Sequence, residues 1–294
     1  MKNFFRFLLV VLPPKISIQL RYYYNLHKFI NFQNPLTFGE KLQWLKLYNK
    51  KTEYTMMVDK YLVKEYVKNI IGSQFIIPTL GIWDTPNSID WDLLPQKFVL
   101  KTTHAGGSAG VVICRNKDAF DKSTAVKQLN HSYKTDSYAL SKEWPYKNVQ
   151  RRVIAEQLLE TDSNGGDLAD YKWFCFNGVP KFCQVIKDRS TNETIDFFDT
   201  EWNHQEFIGL NPRVKNAKEQ PQKPEKLELQ ISIACQLSKN IPFARIDLYE
   251  VKGKVYFGEI TFFPFSGMGK FVPNKYNKIL GDMIDLTKCE SYRR

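Results

Sequence analysis

Apolar and polar positions group most clearly around a loop of small residues. The apolar run 98–100 ends at Lys101, and a second apolar run, 111–113, follows a polar loop. Two short apolar runs around such a loop predict a β-hairpin with a long tip. Glycines let backbone N–H groups approach phosphate oxygens, and Lys101 would add an ammonium beside them. The pattern therefore indicates a phosphate site, although a plain turn has the same composition.

Helical periodicity precedes this hairpin. Thr37 and Glu40 have capping-box spacing at the start of a helix predicted over 38–49. Residues 55–71 place apolar side chains at helical spacing, and Gly72 is a suitable C-cap. We therefore expect two helices on the N-terminal side of the loop.

Two further hairpins are predicted in the second half of the chain. Asn177-Gly178 lies between two apolar runs, which is the strongest short signal for a hairpin turn. Residues 243–260 alternate around a Lys-Gly-Lys turn. The strand predicted over 153–160 carries an internal glutamate, Glu156, and a helix is expected at about 224–239.

Carboxylates converge in the last hairpin. Alternation places Arg245 and Asp247 on one face, and Glu259 and Thr261 face the same side of the returning strand. Asp247 and Glu259 can then face each other, and paired carboxylates suit Mg²⁺. The spacing fits equally well a cross-strand charge network with Arg245 between the acids, so both interpretations stay open.

The net charge and the cysteines of the chain indicate the kind of binding partner and the cellular compartment to expect. The 294 residues are 43% hydrophobic with a net charge of +11, which favours an anionic partner or is simply a basic surface. The aromatic residues near the N-terminus have core-like spacing and no RNA-binding motif is present, so no nucleic acid is expected. Five cysteines without a CxxC pair indicate reduced thiols in a cytoplasmic protein.

The apolar segment 4–12 is too short to span a bilayer, which takes about 20 residues. No small-residue cleavage site follows it, so we do not expect a signal peptide. Because Lys2, Arg6, Lys15 and Arg21 surround it, it could lie on the inner face of an anionic membrane. The alternative is a helix packed on the protein's own core.

Taken in order, these motifs resemble the ATP-grasp superfamily. The segments NPLTFGEKLQWLKLY, DKYLVKEYV, FVLKTTHAGGSAGV, DYKWFCFNGVPKF and KDR resemble the TupA-like ATP-grasp family in particular, over roughly residues 30–275. That family is associated with surface polysaccharide and teichuronopeptide biosynthesis. The resemblance implies an α+β ATP-grasp fold with two α+β lobes clasping ATP. It divides the chain into an N-terminal helical extension (1–54), lobe A with the Gly-rich phosphate loop (55–155) and lobe B with the Mg/ATP site (156–294).

The resemblance also implies roles for single residues. ATP would be bound by Lys60, Lys101, Gly106, Gly107, Ser108, Gly110, Glu156, Gln157, Leu158, Leu159 and Asp170. Mg²⁺ would be bound by Asp247, Glu259 and Thr261. Arg245, Lys172 and Arg189 would be catalytic. The superfamily often has Asn where Thr261 stands, and a hydroxyl is a poorer metal ligand than an amide carbonyl.

The implied activity is an ATP-dependent carboxylate–amine ligase that forms an acylphosphate. It would join a sugar acid to an amino acid or amino sugar in capsule, lipopolysaccharide or teichuronopeptide biosynthesis. A glycosyltransferase using a nucleotide sugar is the alternative, but the only DxD-like spacing, Asp90-Trp91-Asp92, has no apolar strand leading into it. A non-catalytic nucleotide- or membrane-binding module is a third interpretation.

Overall fold

Two antiparallel sheets organise the residues that the computed structural model describes, which are 2–107, 109–160 and 168–289, with side chains from Arg6 onward. The helices are α1 (Lys2–Val11), α2 (Pro14–Leu26), α3 (Phe38–Tyr48), α4 (Glu53–Val58), α5 (Leu62–Ile71), α6 (Lys122–Lys134), α7 (Ser137–Ser141), α8 (Leu227–Leu237) and α9 (Lys275–Asp282). The strands are β1 (Thr79–Trp83), β2 (Phe98–Thr102), β3 (Val111–Cys114), β4 (Val153–Gln157), β5 (Asp170–Phe176), β6 (Val179–Lys187), β7 (Thr194–Phe198), β8 (Ile208–Leu210), β9 (Phe243–Val251), β10 (Lys254–Thr261) and β11 (Lys270–Val272).

The chain divides into two units. Unit 1 comprises Met1–Lys50 and Thr161–Arg294, and unit 2 comprises Lys51–Glu160. Helix α3 belongs to unit 1 because its lysine and glutamine side chains bond to the C-terminal half: Lys41 donates to the Ile284 carbonyl at 2.8 Å and Gln43 to the Ser266 carbonyl at 2.9 Å. The functional division into an extension and two lobes, with boundaries after residues 54 and 155, stays a prediction.

Unit 2 is built on a four-stranded sheet in the order β1-β4-β2-β3. The predicted hairpin at 98–113 is confirmed, since β2 and β3 pair antiparallel. One face of the sheet supplies apolar residues to the core, among them Phe98, Leu100 and Ala155, which pack with Leu129 of α6. Because side chains alternate along a strand, Lys101 of β2 and Glu156 of β4 emerge on the other face.

The single helix predicted over 55–71 is wrong, because the chain breaks it into α4 and α5. Asp59 lies in the break, is fully buried, and accepts from the backbone N–H groups of Tyr61 and Leu62 at 2.8 and 3.2 Å. This caps the start of α5. The N–H of Lys60 donates to the Thr103 carbonyl at 3.1 Å. Lys60 is thereby fixed beside the end of β2 rather than within a helix.

Unit 1 is built on a five-stranded sheet in the order β10-β9-β5-β6-β7, with a separate pair, β11-β8. Both predicted hairpins are confirmed. Asn177 and Gly178 take positive φ values of 51° and 83°, as a two-residue hairpin turn requires. The predicted capping box is also present: Thr37 and Glu40 exchange bonds at the start of α3. Phe38, the next residue, contacts the rings of Phe174, Phe176, Phe243 and Phe271.

None of the helices described is long and apolar enough to cross a membrane. All five cysteines are free. Four of them are buried, whereas Cys235 is exposed. Burial raises the pKa of Cys175 to about 12, so this thiol stays protonated and unreactive.

Candidate functional site

A lysine–glutamate cluster occupies the polar face of the sheet in unit 2. Glu156 is 5% exposed and its two oxygens accept from different lysines. Lys101 lies 2.5 Å from Oε2, and Lys64 pairs with Oε1. Strand register accounts for the first contact, because Val99 of β2 faces Glu156 and Lys101 follows it on the same face. Lys64 reaches the cluster from α5 and also donates to the Ile77 carbonyl at 2.6 Å.

Burial and charge act against each other in this cluster. Burial alone would raise the pKa of Glu156, but the ammoniums of Lys101 and Lys64 hold that pKa below its ordinary value. Burial also lowers the pKa of Lys64, with Glu156 opposing the shift. Glu156 is therefore a carboxylate that fixes the positions of two ammoniums.

The glycine-rich loop follows β2, the strand that carries Lys101. Lys60 donates to the carbonyl of Ala105, the first residue before the glycines, at 2.5 Å. Gly106 and Gly107 are exposed, and Gly107 has φ of +72°, which favours glycine. A Cβ on Gly110 would lie only 2.2 Å from Thr102 Oγ1, so that glycine is required for packing. Ser108 lies outside the described residues.

The residues assigned to adenine follow Glu156 directly. The N–H of Gln157 donates to the Pro78 carbonyl at 3.0 Å, which extends the pairing of β4 with the β1 side. Leu158 and Leu159 are half-buried and continue past the end of the strand. Lys101 and Lys64 already occupy the Glu156 carboxylate. Any contact with adenine from this segment would therefore come from residues 157–159.

A second group, here called the charge chain, lies on one face of the sheet in unit 1. Acidic and basic side chains alternate along it in the order Arg189, Asp170, Lys172, Asp247, Arg245 and Glu259. Arg189 lies 2.5 Å from Asp170, which lies 3.4 Å from Lys172. Arg245 lies 3.2 Å from Glu259. Three formal positive charges and three negative ones therefore balance.

The register of three neighbouring strands assembles the charge chain. Asp247 on β9 faces Lys172 on β5 and Glu259 on β10. The second pairing depends on a bulge between Phe257 and Glu259. Without that bulge the regular register would place Gly258 opposite Asp247 and turn Glu259 to the other face of the sheet.

Both oxygens of Asp247 accept from cations. Arg245 donates from Nε at 2.7 Å and from Nη2 at 2.8 Å, and Lys172 donates to Oδ2. Burial raises the pKa of Asp247, and the two cations oppose that rise. Thr261 donates to Glu259 at 2.9 Å and accepts from Arg245 at 3.1 Å. The charge network weighed in the sequence analysis is therefore present, with Arg245 between the two acids.

The donor chemistry of this group fits Mg²⁺. Asp247, Glu259 and Thr261 supply carboxylate and hydroxyl oxygens, which are the ligands that Mg²⁺ prefers. In the part of the chain that the structure describes, no three His, Cys, Asp or Glu side chains converge to hold a metal by themselves. Because Mg²⁺ commonly completes its shell with phosphate oxygens and water, these residues suit an ion that shares its coordination with a phosphate ligand.

Sequence reasoning missed Lys64. The available signal was indirect: a glutamate within an apolar strand requires cationic partners when buried, and Lys101 could supply only one. The DxD-like residues Asp90 and Asp92 are exposed, and the N–H of Asp92 donates to the Asp90 side chain at 3.0 Å. That contact is an ordinary Asx turn and gives the glycosyltransferase interpretation no support.

The sequence model of the TupA-like ATP-grasp family matches residues 40–285. The chain belongs to this family. The predicted membership is thus confirmed over most of the chain, and so is the predicted α+β ATP-grasp fold, with mixed helices and antiparallel sheets and with helices at the N-terminus. No curated protein sequence is a significant match to this TupA-like chain.

Solved structures of D-alanine–D-alanine ligases are among those similar to the TupA-like chain. The Bacillus anthracis enzyme is 18% identical, covering 81% of this chain and 69% of that one, with a TM-score of 0.46. The Helicobacter pylori enzyme is 16% identical, covering 86% and 68%, with a TM-score of 0.40. An ATP-grasp RimK domain protein from Sphaerobacter thermophilus is 9% identical, covering 79% and 69%, with a TM-score of 0.42. The chain spans about two thirds of the length of these proteins.

Family membership fixes the general class of chemistry. ATP-grasp ligases bind ATP and use it to form carbon–nitrogen bonds, and the family match places this chain among ATP-grasp proteins. The predicted enzyme class, an ATP-grasp ligase, is confirmed at this level. The roles of single residues in the TupA-like chain stay predictions.

Proposed function

We propose that this chain transfers the γ-phosphoryl group of ATP to a carboxylate, which releases ADP, and that an amine then attacks the acylphosphate to give an amide and inorganic phosphate. The observation that carries the proposal is the charge chain, in which Arg245 touches both Asp247 and Glu259. An arginine held between two acids on one sheet face is positioned to offset charge on a transferring phosphoryl group. Such a reaction needs positioned charges more than it needs a general base.

Unit 2 would supply the contacts to the phosphates. Lys60 and Lys101 would bind the α- and β-phosphates, and Glu156 would hold Lys101 in place for that task. The exposed backbone of Gly106 and Gly107 supports a loop that closes over the β- and γ-phosphates and excludes water from the acylphosphate.

The remaining parts of ATP would contact the residues at the end of β4 and the start of β5. In this proposal the backbone of residues 157–159 meets the purine. Asp170 would contact the ribose. Arg189 and Lys172 both lie beside the Asp170 carboxylate, so they would share that carboxylate with the ribose. Arg189 and Lys172 would then face the phosphate or the acceptor carboxylate.

Asp247, Glu259 and Thr261 would hold Mg²⁺, which when bound would offset the negative charge of the phosphates. Arg245 and Lys172 occupy the Asp247 oxygens. For Asp247 to bind the metal, both cations would have to release its oxygens. They would then hydrogen-bond to the phosphates of ATP and offset the charge of the transferring phosphoryl group.

For the substrates we propose a sugar acid as the carboxylate and an amino acid or amino sugar as the amine, in the biosynthesis of bacterial surface polysaccharide. The family setting supports the pairing, and the net charge of +11 supports an anionic glycan substrate. We further propose that this reaction takes place in the cytoplasm, at the inner face of the membrane.

The test is ADP release by the full chain with ATP, Mg²⁺ and a panel of uronic acids paired with amino acids or amino sugars. We expect release that requires both a carboxylate and an amine. Glu259→Gln is isosteric and should lower turnover by at least about a hundredfold, whereas Glu228→Gln, on the exposed side of α8, should leave it unchanged.

Two results would contradict the proposal. Retained turnover in Glu259→Gln would remove Glu259 from the metal site. Thermal stabilisation of the chain by a nucleotide sugar, without stabilisation by ATP or ADP, would favour a glycosyltransferase instead.

A further inference from the structure

The first helices of the chain carry one sign of charge. Residues 1–39 contain no Asp or Glu. Their basic residues are Lys2, Arg6, Lys15, Arg21 and Lys28. A one-sided charge distribution of this kind attracts anionic surfaces at a range of about 8 Å in physiological salt.

Helix α1 exposes an apolar face. Phe7, Val10 and Val11 are 59%, 41% and 55% exposed, and their spacing places them on the same side of the helix. The opposite side holds α1 to α2, because Leu9 is buried and its carbonyl accepts from the Ser17 hydroxyl at 2.8 Å. The helix is therefore fixed to its neighbour while Phe7 and Val11 are more than half exposed.

Helix α2 and the segment after it also expose aromatic side chains. Tyr23, Tyr24 and Phe29 are 45%, 61% and 65% exposed, and the rings of Tyr23 and Phe29 stack with centroids 4.7 Å apart. Ile16, two turns before Tyr23 on the same side of α2, is 49% exposed. Exposed tyrosines beside apolar side chains are typical of the interface between lipid headgroups and acyl chains.

A basic pocket of about 350 Å³ adjoins the end of α2. Lys28 lines it together with Lys270, Lys275 and Lys278 from the region of α9. Lys278 is paired with Asp282 at 2.7 Å, and the one acidic lining residue, Glu40, is used to cap α3. The pocket thus presents more positive than negative charge, which suits the phosphate of a lipid headgroup.

We propose that the surface formed by α1, α2 and this pocket, here called the N-terminal surface, docks on an anionic lipid bilayer. Helix α1 would lie in the plane of the interface with Phe7, Val10 and Val11 among the acyl chains. The lysines of the pocket would contact the headgroup phosphates. A short apolar helix with flanking cations binds a bilayer in this way without crossing it.

The inference does not rest on the proposed ligase activity. It rests on the coincidence of the exposed Phe7 and Val11, the exposed aromatics and the absence of acidic residues before Glu40. For an enzyme acting on glycan precursors, the consequence would be a raised local concentration of lipid-carried substrate.

The experiment is flotation of the full chain with vesicles of phosphatidylcholine alone and with vesicles that also contain phosphatidylglycerol. We expect binding to the anionic vesicles that weakens as NaCl is raised. The double variant Phe7→Ser/Val11→Ser should bind about tenfold less strongly or worse, because the buried apolar area supplies much of the affinity. The matched control is Leu93→Ser/Ile113→Ser, which removes two exposed apolar residues from unit 2 and should bind like the parent.

A charge variant keeps the test sound if the serine variant fails to fold. Lys28→Ala/Lys275→Ala should weaken binding about twenty-five-fold, at a factor of about five for each lysine near the surface. Lys127→Ala/Lys134→Ala on α6 removes the same charge elsewhere and should have little effect. Equal binding to neutral and anionic vesicles, no binding, or equal loss in test and control variants would overturn the proposal. So would a dimer in analytical ultracentrifugation that Phe7→Ser/Val11→Ser dissociates, because a second copy would then cover the apolar face.

Discussion

The lysine–glutamate cluster in unit 2 gives a prediction whose size follows from the structure. Lys64→Met keeps the bulk of the side chain on α5 and removes one of the two ammoniums on Glu156. At about 3 Å and an effective dielectric constant of about 20, one such pair is worth about 5 kcal/mol before desolvation is counted. Removing one partner of a buried pair costs about 3–5 kcal/mol. Because Lys101 stays 2.5 Å from the second oxygen of Glu156, we expect Lys64→Met to lower the free energy of unfolding of unit 2 by about 2 kcal/mol.

Hydrogen exchange of the amides in β2 and β4 is the suitable assay, because it reports the stability of unit 2 itself. Lys68→Met is the matched control: Lys68 lies one turn further along α5, its side chain is 52% exposed, and its partner Glu65 is exposed too. An exposed ion pair of this kind stabilises a protein by about 0–1 kcal/mol. The unfolding free energy of Lys68→Met should therefore lie within about 0.5 kcal/mol of the parent value.

The same cluster predicts a dependence on pH. Since the lysines lower the pKa of Glu156 in the folded protein, its stabilising effect is complete above the unfolded value of about 4.3 and is lost as the pH falls through the folded value. Removal of Lys64 should raise the folded pKa and shrink this contribution. In a double-mutant cycle that combines Lys64→Met with Glu156→Gln, the coupling free energy between the two residues should be about 1–3 kcal/mol. If Lys64→Met costs no more than Lys68→Met, the buried pair does not stabilise unit 2 and the reasoning is refuted.

Two further predictions concern the glycine-rich loop. Gly110→Ala should destabilise unit 2 by about 1–3 kcal/mol, because its Cβ would lie 2.2 Å from Thr102 Oγ1 and 2.4 Å from Ser132 Oγ; urea unfolding measures this, and an unchanged midpoint would contradict it. Burial lowers the pKa of His104, so its neutral form stabilises the fold fully above about pH 6.5 and this effect is lost as the pH falls below that value. His104→Phe should therefore lose less unfolding free energy between pH 7 and pH 5 than the parent does, and an equal loss would exclude His104 as the cause.

Much of the local structure could be predicted because short-range rules decide it. The capping box at Thr37 and Glu40 and the hairpin turn at Asn177-Gly178 depend on a few neighbouring residues, and both are present. A short apolar run likewise identified the strand that carries Lys101, and period-two alternation identified the strand that carries Asp247. Motif order was sufficient to predict the family.

The helix predicted over 55–71 shows where such rules fail. Its apolar spacing is helical on both sides of Asp59, and nothing in the local sequence requires a break. The break forms because Asp59 is fully buried and accepts from Arg152 at 3.0 Å, a residue 93 positions away. A buried carboxylate with such a partner outweighs the small cost of ending a helix.

The sequence by itself determined the strands, their turns and which side chains carry charge, since alternation and turn chemistry act over a few residues. Only the tertiary structure decided how those charges meet. A single bulge beside Gly258 places Glu259 opposite Asp247, and the approach of α5 adds Lys64 to Glu156. Strand register and helix packing depend on contacts between distant segments, where one residue of slip moves a side chain to the opposite face of the sheet.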